Sequence, residues 1–129
     1  MPNVRVTFDR IDVDKDGDPA ATDGKGDFFW RFSVNGNAVT QRTEGNPHQS
    51  GNGSTINLGA SKSLELKYRE DLIVDGFLGE NDKGLAGKDE KADFQQTYDR
   101  SERWGNGPHQ VALHDRKMRA TLHYSISAG

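Results

Sequence analysis

From residue 12 to residue 23 the chain reads Asp-Val-Asp-Lys-Asp-Gly-Asp-Pro-Ala-Ala-Thr-Asp, so Asp12, Asp14, Asp16, Asp18 and Asp23 crowd around Gly17, and Asp27 follows. Carboxylates packed this closely repel one another unless a positive charge sits among them. Placed at alternate positions, they let a curling backbone turn several oxygens toward one centre. Hard cations such as calcium take six to eight oxygen ligands, and that is the chemistry the segment offers. Calcium loops carry acids at the first, third, fifth and twelfth places and a glycine at the sixth. Asp12, Asp14 and Asp16 take the first three, Gly17 the sharp turn and Asp23 the last, while Asp18 adds its carbonyl at the seventh place. Two places differ from the usual pattern: the closing acid is the short Asp23 rather than Glu, and Pro19 stands where an aliphatic residue is usual. A solvated acidic turn is the alternative, because Asp and Gly populate turns without metal.

A second acidic stretch runs from Glu70 to Asp93 and is interrupted by Gly76, Gly79, Gly84 and Gly87. Its composition reads as a long loop, and loops of that length are usually functional or mobile. Asp71, Asp75, Glu80 and Asp82 are either metal ligands, completing the coordination that the first loop begins, or the charges of a solvated loop. Asp89, Glu90 and Asp93 read as surface charges. Phe77-Leu78 is either an exposed apolar tip beside the cations or packed under its own loop.

Other chemistries find less support. The histidines His48, His109, His114 and His123 have no ligand spacing, and a structural or solvent role is expected for each. Neither a nucleophile elbow, a phosphate loop nor a zinc-protease motif is present. A paired-carboxylate hydrolase would use some of these acids, but metal ligation accounts for their clustering better than acid–base catalysis. No enzyme is expected.

The chain has 129 residues, enough for one domain spanning 1–129, with 32 % apolar residues and 15 glycines. That balance suggests many turns around a modest β core. It contains no cysteine, which excludes disulfides and thiolate metal sites. Net charge is −3, and bases outnumber acids only between 99 and 129, so no nucleic-acid surface is expected. Met1-Pro2 leads straight into a polar strand and no long apolar run follows, so neither a signal peptide nor a transmembrane segment is expected in this chain.

The elements around the acidic loop read as strands. Val4, Val6 and Phe8 alternate, then the phase changes to Ile11 and Val13, which predicts a bulge near Asp9-Arg10. Phe28, Trp30, Phe32 and Val34 share one face, with Trp30 in the core. Asn35-Gly36 predicts a hairpin, because both residues tolerate positive φ. Strands follow at 38–42, 55–58, 63–69, 92–98, 109–113 and 118–126, with 44–53 a loop. Arg119, Thr121, His123 and Ser125 fall on the outer face of the last. No apolar stripe has helical spacing. The fold class is therefore all-β: an antiparallel β-sandwich of about seven or eight strands with long acidic loops at one end.

The first loop resembles an EF-hand calcium loop, but its flanks are strands where an EF-hand has helices. The order of parts resembles the C2-domain pattern: an opening strand (Val4–Val13), an Asp-rich loop (Asp12–Asp27), an aromatic strand, a polar hairpin, an alternating strand (Leu64–Tyr68), a second acidic loop (Glu70–Asp82) and the step Leu85-Ala86-Gly87. That resemblance covers most of the chain in order. It implies two or three calcium ions between the acidic loops, with Asp12, Asp14, Asp16, Asp18, Asp23, Asp71, Asp75 and Asp82 as ligands. The acids of the second loop depart from the family's Asp-x-Asp spacing. It further implies a calcium-dependent module docking an anionic phospholipid surface, or a protein or glycan partner through Trp104 or the basic stretch 99–119. A calcium-stabilised structural or carbohydrate-binding module of an exported protein is the alternative. Weak sites suit calcium-rich settings, which favours an extracellular or exported location.

Overall fold

Period-two alternation of apolar and polar residues is realised as strands through nearly the whole chain. The computed structural model describes residues 3–16, 25–43, 45–51, 53–67, 69–81, 90–115 and 118–128, and for Lys15, Asp16, Lys25, Asn81 and Glu90 the backbone alone. The described strands are β1 (Asn3–Asp16), β2 (Lys25–Val34), β3 (Asn37–Arg42), β4 (His48–Gly51), β5 (Ser54–Glu65), β6 (Leu72–Asn81), β7 (Glu90–Tyr98), β8 (Gly107–Asp115) and β9 (Met118–Ala128), with a 3₁₀ turn at Arg100–Gly105. They form two antiparallel sheets, one in the order β5-β1-β9-β8, the other β3-β2-β6-β7 with β4 also paired to β2.

The expected sandwich is present, with three differences in its parts. Strand β4 lies in a stretch read as loop, the two strands expected at 55–58 and 63–69 are one strand, β5, and β6 occupies much of the second acidic stretch. Tyr68 lies outside the described residues.

The phase change in β1 is a bulge: Phe8 pairs with Ala60 and Tyr124, whereas Arg10 pairs with Asn57 and His123. The extra residue returns Ile11 and Val13 to the inner face, where both are buried. The Asn35-Gly36 turn has φ of 47° and 82°, the doubly positive geometry that follows the twist of paired strands. Asn35 also latches the hairpin to β6: its side-chain oxygen accepts from Ile73 N at 2.7 Å and its amide donates to the Asp71 carbonyl at 3.2 Å.

Between the sheets, Phe8 stacks on Phe32 at 5.5 Å, and Phe94 and Tyr124 extend the cluster. Phe8 and Phe32 are fully buried, each burial stabilising by roughly 1.5–3 kcal/mol. Trp30 is buried as expected, its indole donating to Thr40 Oγ1 at 3.1 Å.

Candidate metal rim

Antiparallel topology sorts the connections to two ends. Asp16 ends β1 and Lys25 opens β2 at one end, where Gly51 pairs with Lys25, Ser54 with Val13, and Asn81 with Asp27. Glu90 opens β7 opposite Glu80, and Asp115 and Met118 close the β8–β9 hairpin there too. Asp16, Lys25, Asn81 and Glu90 therefore all end their strands at this rim. Cross-links hold it together: Gly53 N donates to the Val13 carbonyl at 2.7 Å, and Lys91 N donates to the Asp115 carboxylate at 2.9 Å, joining one sheet to the other.

The acids at this rim have different surroundings. Asp14 is exposed, while Glu80 points inward and is 1 % exposed. The strand registers place Asp16 and Asp27 at the same end. Among the described residues no three acids or histidines gather closely enough to hold an ion. Asp18, Asp23 and Asp82 lie outside the described residues.

Asp12 sits one step back from the rim, on the outer face of β1. Thr55 Oγ1 donates to Oδ1 at 3.1 Å, His123 Nε2 lies 2.7 Å from Oδ2, and Arg10 Nε lies 3.3 Å from Oδ1. Burial pushes its pKa up, but the hydrogen bonds from Thr55 and His123 and the charges of Arg10 and His123 outweigh burial, so the net direction is down. Its carboxylate is thus already engaged by three side chains.

Asp71 and Asp75 do not join the first loop. The ten residues of β6, rising about 3.3 Å each, put roughly 30 Å between Asp71 and the rim. Asp75 lies inside the strand, paired with Ser33 and Gln95. The stretch read as a loop is a strand because Leu72, Val74 and Leu78 supply a buried face. Its glycines stand where a side chain has no room: a Cβ on Gly76 would lie 2.1 Å from the Arg31 carbonyl oxygen, and one on Gly79 2.3 Å from the Phe29 ring. The end of β6 that reaches the rim is Asn81, paired with Asp27; Asp82 follows it in the chain and lies outside the described residues.

Phe77-Leu78 is part of β6 rather than a loop tip. Leu78 is buried between the sheets, and Phe77 faces outward, 6.0 Å from Phe29. Trp104 is turned inward and not offered to a partner: it is 6 % exposed, and its indole donates to the Glu70 carbonyl at 2.9 Å. Arg103 and Trp104 adopt φ of 51° and 50°, and that backbone turn tucks the ring inward. No apolar alternation announces such a residue. Of the histidines, His109 stacks on Tyr124 at 5.2 Å with Nδ1 near the Tyr98 hydroxyl at 3.4 Å, a structural role; His114 is exposed.

The class thus defined is an antiparallel β-sandwich of two sheets. No protein-family model matches the chain, and no curated protein matches it in sequence. Among solved structures it is similar to a C2 domain at 13 % identity, covering 100 % of this chain and 99 % of that one, with a TM-score of 0.48. It is also similar to a C2 domain of plant extended synaptotagmin 1, at 12 % identity over 98 % and 92 %, TM-score 0.48. A C2 domain protein from Ramazzottius varieornatus gives 14 % identity over 98 % and 88 %, TM-score 0.46.

Proposed function

We propose that the chain is a C2-like binding module that takes up calcium at the acidic rim and uses it to order the adjoining connections and dock an anionic phospholipid surface. One observation carries this reading: Asp27 pairs with Asn81, so the segment holding Asp18 and Asp23 and the segment opening at Asp82 leave from adjacent strands. Carboxylates from both are then available to one cluster of hard, oxygen-seeking ions. Asp14, Asp16, Asp18, Asp23 and Asp82 are the ligands in this assignment. Asp12 anchors the strand beneath them through Thr55 and His123. Asp71 and Asp75 stand too far along β6 to take part.

When bound, calcium supplies charge neutralisation and open coordination positions for phosphate oxygens. The protein's part is to hold the two connections side by side on a rigid sheet edge. Without the ion, the clustered acids repel an anionic surface; with it, the sign of the rim reverses. A modest affinity, consistent with the short Asp23 at the closing place, suits a calcium-rich setting outside the cell.

Thermal melting in calcium against chelator tests the metal. At about a hundred times Kd, binding adds ~2.7 kcal/mol, a rise of roughly 10 °C for a domain of this size. An unchanged midpoint at millimolar calcium would sink the reading. Co-sedimentation with phosphatidylserine vesicles, with and without chelator, tests the partner: calcium-dependent pelleting lost in Asp14→Asn/Asp16→Asn supports it, and pelleting indifferent to calcium contradicts it.

A further inference from the structure

The outer face of the five-stranded sheet carries a second feature, away from the rim. Register sets two rows of side chains across β2, β6 and β7: Arg31, Phe77 and Asp93 in one, Ser33, Asp75 and Gln95 in the next. These six line an open cleft of about 430 Å³, within the range of small-ligand sites. Phe77 forms one wall, with its ring backed by Phe29 and with Lys91 Nζ 4.2 Å from its centroid. Ser33, although on the outward face, is 2 % exposed, and among the described residues its hydroxyl has no hydrogen-bond partner. A buried hydroxyl left unpaired costs about 1–3 kcal/mol, a cost that a ligand oxygen reaching it would offset. Among the described residues Arg31 forms no ion pair with Asp75 or Asp93, although register makes them neighbours.

The mixture of groups limits what fits. A cation drawn by Asp75 and Asp93 meets the guanidinium of Arg31; an anion drawn by Arg31 meets two carboxylates. A neutral polyhydroxylated ring satisfies all of them. Its hydroxyls donate to Asp75 and Asp93 and accept from Arg31, Gln95 and Ser33, and its C–H face lies on Phe77. We infer that this cleft is a saccharide-binding site for a neutral hexose oligomer. It stands apart from the acidic rim: Asp75 is six residues along β6 from Asn81, about 20 Å at strand rise. Sugar binding at this face is therefore independent of calcium.

The test is an amide-resonance titration of the intact chain with maltotetraose, cellotetraose, mannotetraose and galactotetraose, each in calcium and in chelator. At least one sugar should shift the Arg31, Ser33, Asp75, Asp93 and Gln95 resonances equally in both conditions. Two variants separate recognition from folding. Asp75→Asn should weaken binding about tenfold or more, the effect of losing one charge-assisted hydrogen bond, with the melting midpoint held. Ser33→Ala should weaken binding while leaving stability equal or higher, because it deletes a hydroxyl that is unpaired in the free protein. No shift with any of the four sugars at tens of millimolar overturns the inference. So do shifts confined to other faces, binding untouched in both variants, or the same resonances responding to glycine and not to sugar. Loss of sugar binding in chelator would contradict this site's independence while leaving the calcium reading standing.

Discussion

Replacing Gly76 with alanine tests why an acidic, glycine-bearing stretch folds as a strand. Gly76 has φ of +154°, and its absent side chain leaves room for β2. A Cβ there would sit 2.1 Å from the Arg31 carbonyl oxygen and 2.8 and 2.9 Å from Phe32 Cδ1 and Cα. Two of those atoms are backbone of a hydrogen-bonded ladder and cannot swing aside. The φ adds strain of about 1–3 kcal/mol, and overpacking adds a similar amount, so Gly76→Ala should destabilise by roughly 4 kcal/mol. For a domain of this length that is a fall in midpoint of about 16 °C. Gly79→Ala is the matched control. The three atoms nearest its Cβ all belong to the Phe29 ring, the closest at 2.3 Å, and a side-chain ring can shift where the backbone of a ladder cannot. We expect a loss of roughly 1–2 kcal/mol, abolished in a Phe29→Ala background, where the obstacle is gone. Urea unfolding followed by the fluorescence of the buried Trp30 and Trp104 reports both. A Gly76→Ala loss under about 1 kcal/mol, or equal losses at the two glycines, would refute the steric account.

Three further outcomes follow from the side-chain contacts. Trp104→Phe keeps most of the ring but loses the bond to the Glu70 carbonyl, and should cost ~1 kcal/mol in urea unfolding, whereas Trp104→Ala should cost about 3–5 kcal/mol. Asp12 is held below the ordinary carboxylate value of 3.8, so its contribution is present above that pH and lost as pH falls through the lower folded value. Asp12→Asn should then be less stable than the parent near neutrality by about 0.5 kcal/mol, the scale of a solvent-screened pair, with the gap closing in acid melts. Burial and the Tyr98 hydroxyl, 2.6 Å away, raise the pKa of Tyr124 above the ordinary 10.0. Stability is therefore retained below pH 10 and falls above it; Tyr124→Phe should flatten that alkaline decline in pH-dependent unfolding curves.

What the sequence disclosed follows from how much of each strand alternates. Strand β2 was plain because Phe28, Trp30, Phe32 and Val34 keep strict parity, and the β1 bulge was plain because parity broke at a definite point. The Asn35-Gly36 turn was legible because few other pairs accept two positive φ values. Strand β6 was not, although Leu72, Val74 and Leu78 alternate. Its Asp75, Gly76, Gly79 and Glu80 carry loop composition for tertiary reasons: a neighbouring carbonyl, a facing ring and a cleft, none visible locally. The same error displaced the second acidic connection from 82–89 to 70–82 and so brought Asp71 and Asp75 into the ligand set. The burial of Trp104 was left open because it depends on two left-handed residues, Arg103 and Trp104 itself, in the 3₁₀ turn.

The borders of the two sheets also bear on how the protein behaves in company. An extended foreign segment adds to a sheet only where several consecutive peptide groups lie free and straight. Along one border β3 stops at Arg42 and β4 resumes at His48, and the Arg42 guanidinium clasps the Asn46 and Pro47 carbonyls in the gap. Along another, β5 is kinked at Gly59, whose φ is +58°; a third, β8, has as its second residue Pro108, which has no N–H to offer. Three borders of a protein built almost wholly of strands are thereby made poor templates for strand-by-strand accretion, which leaves β7 as the straight border among the described residues.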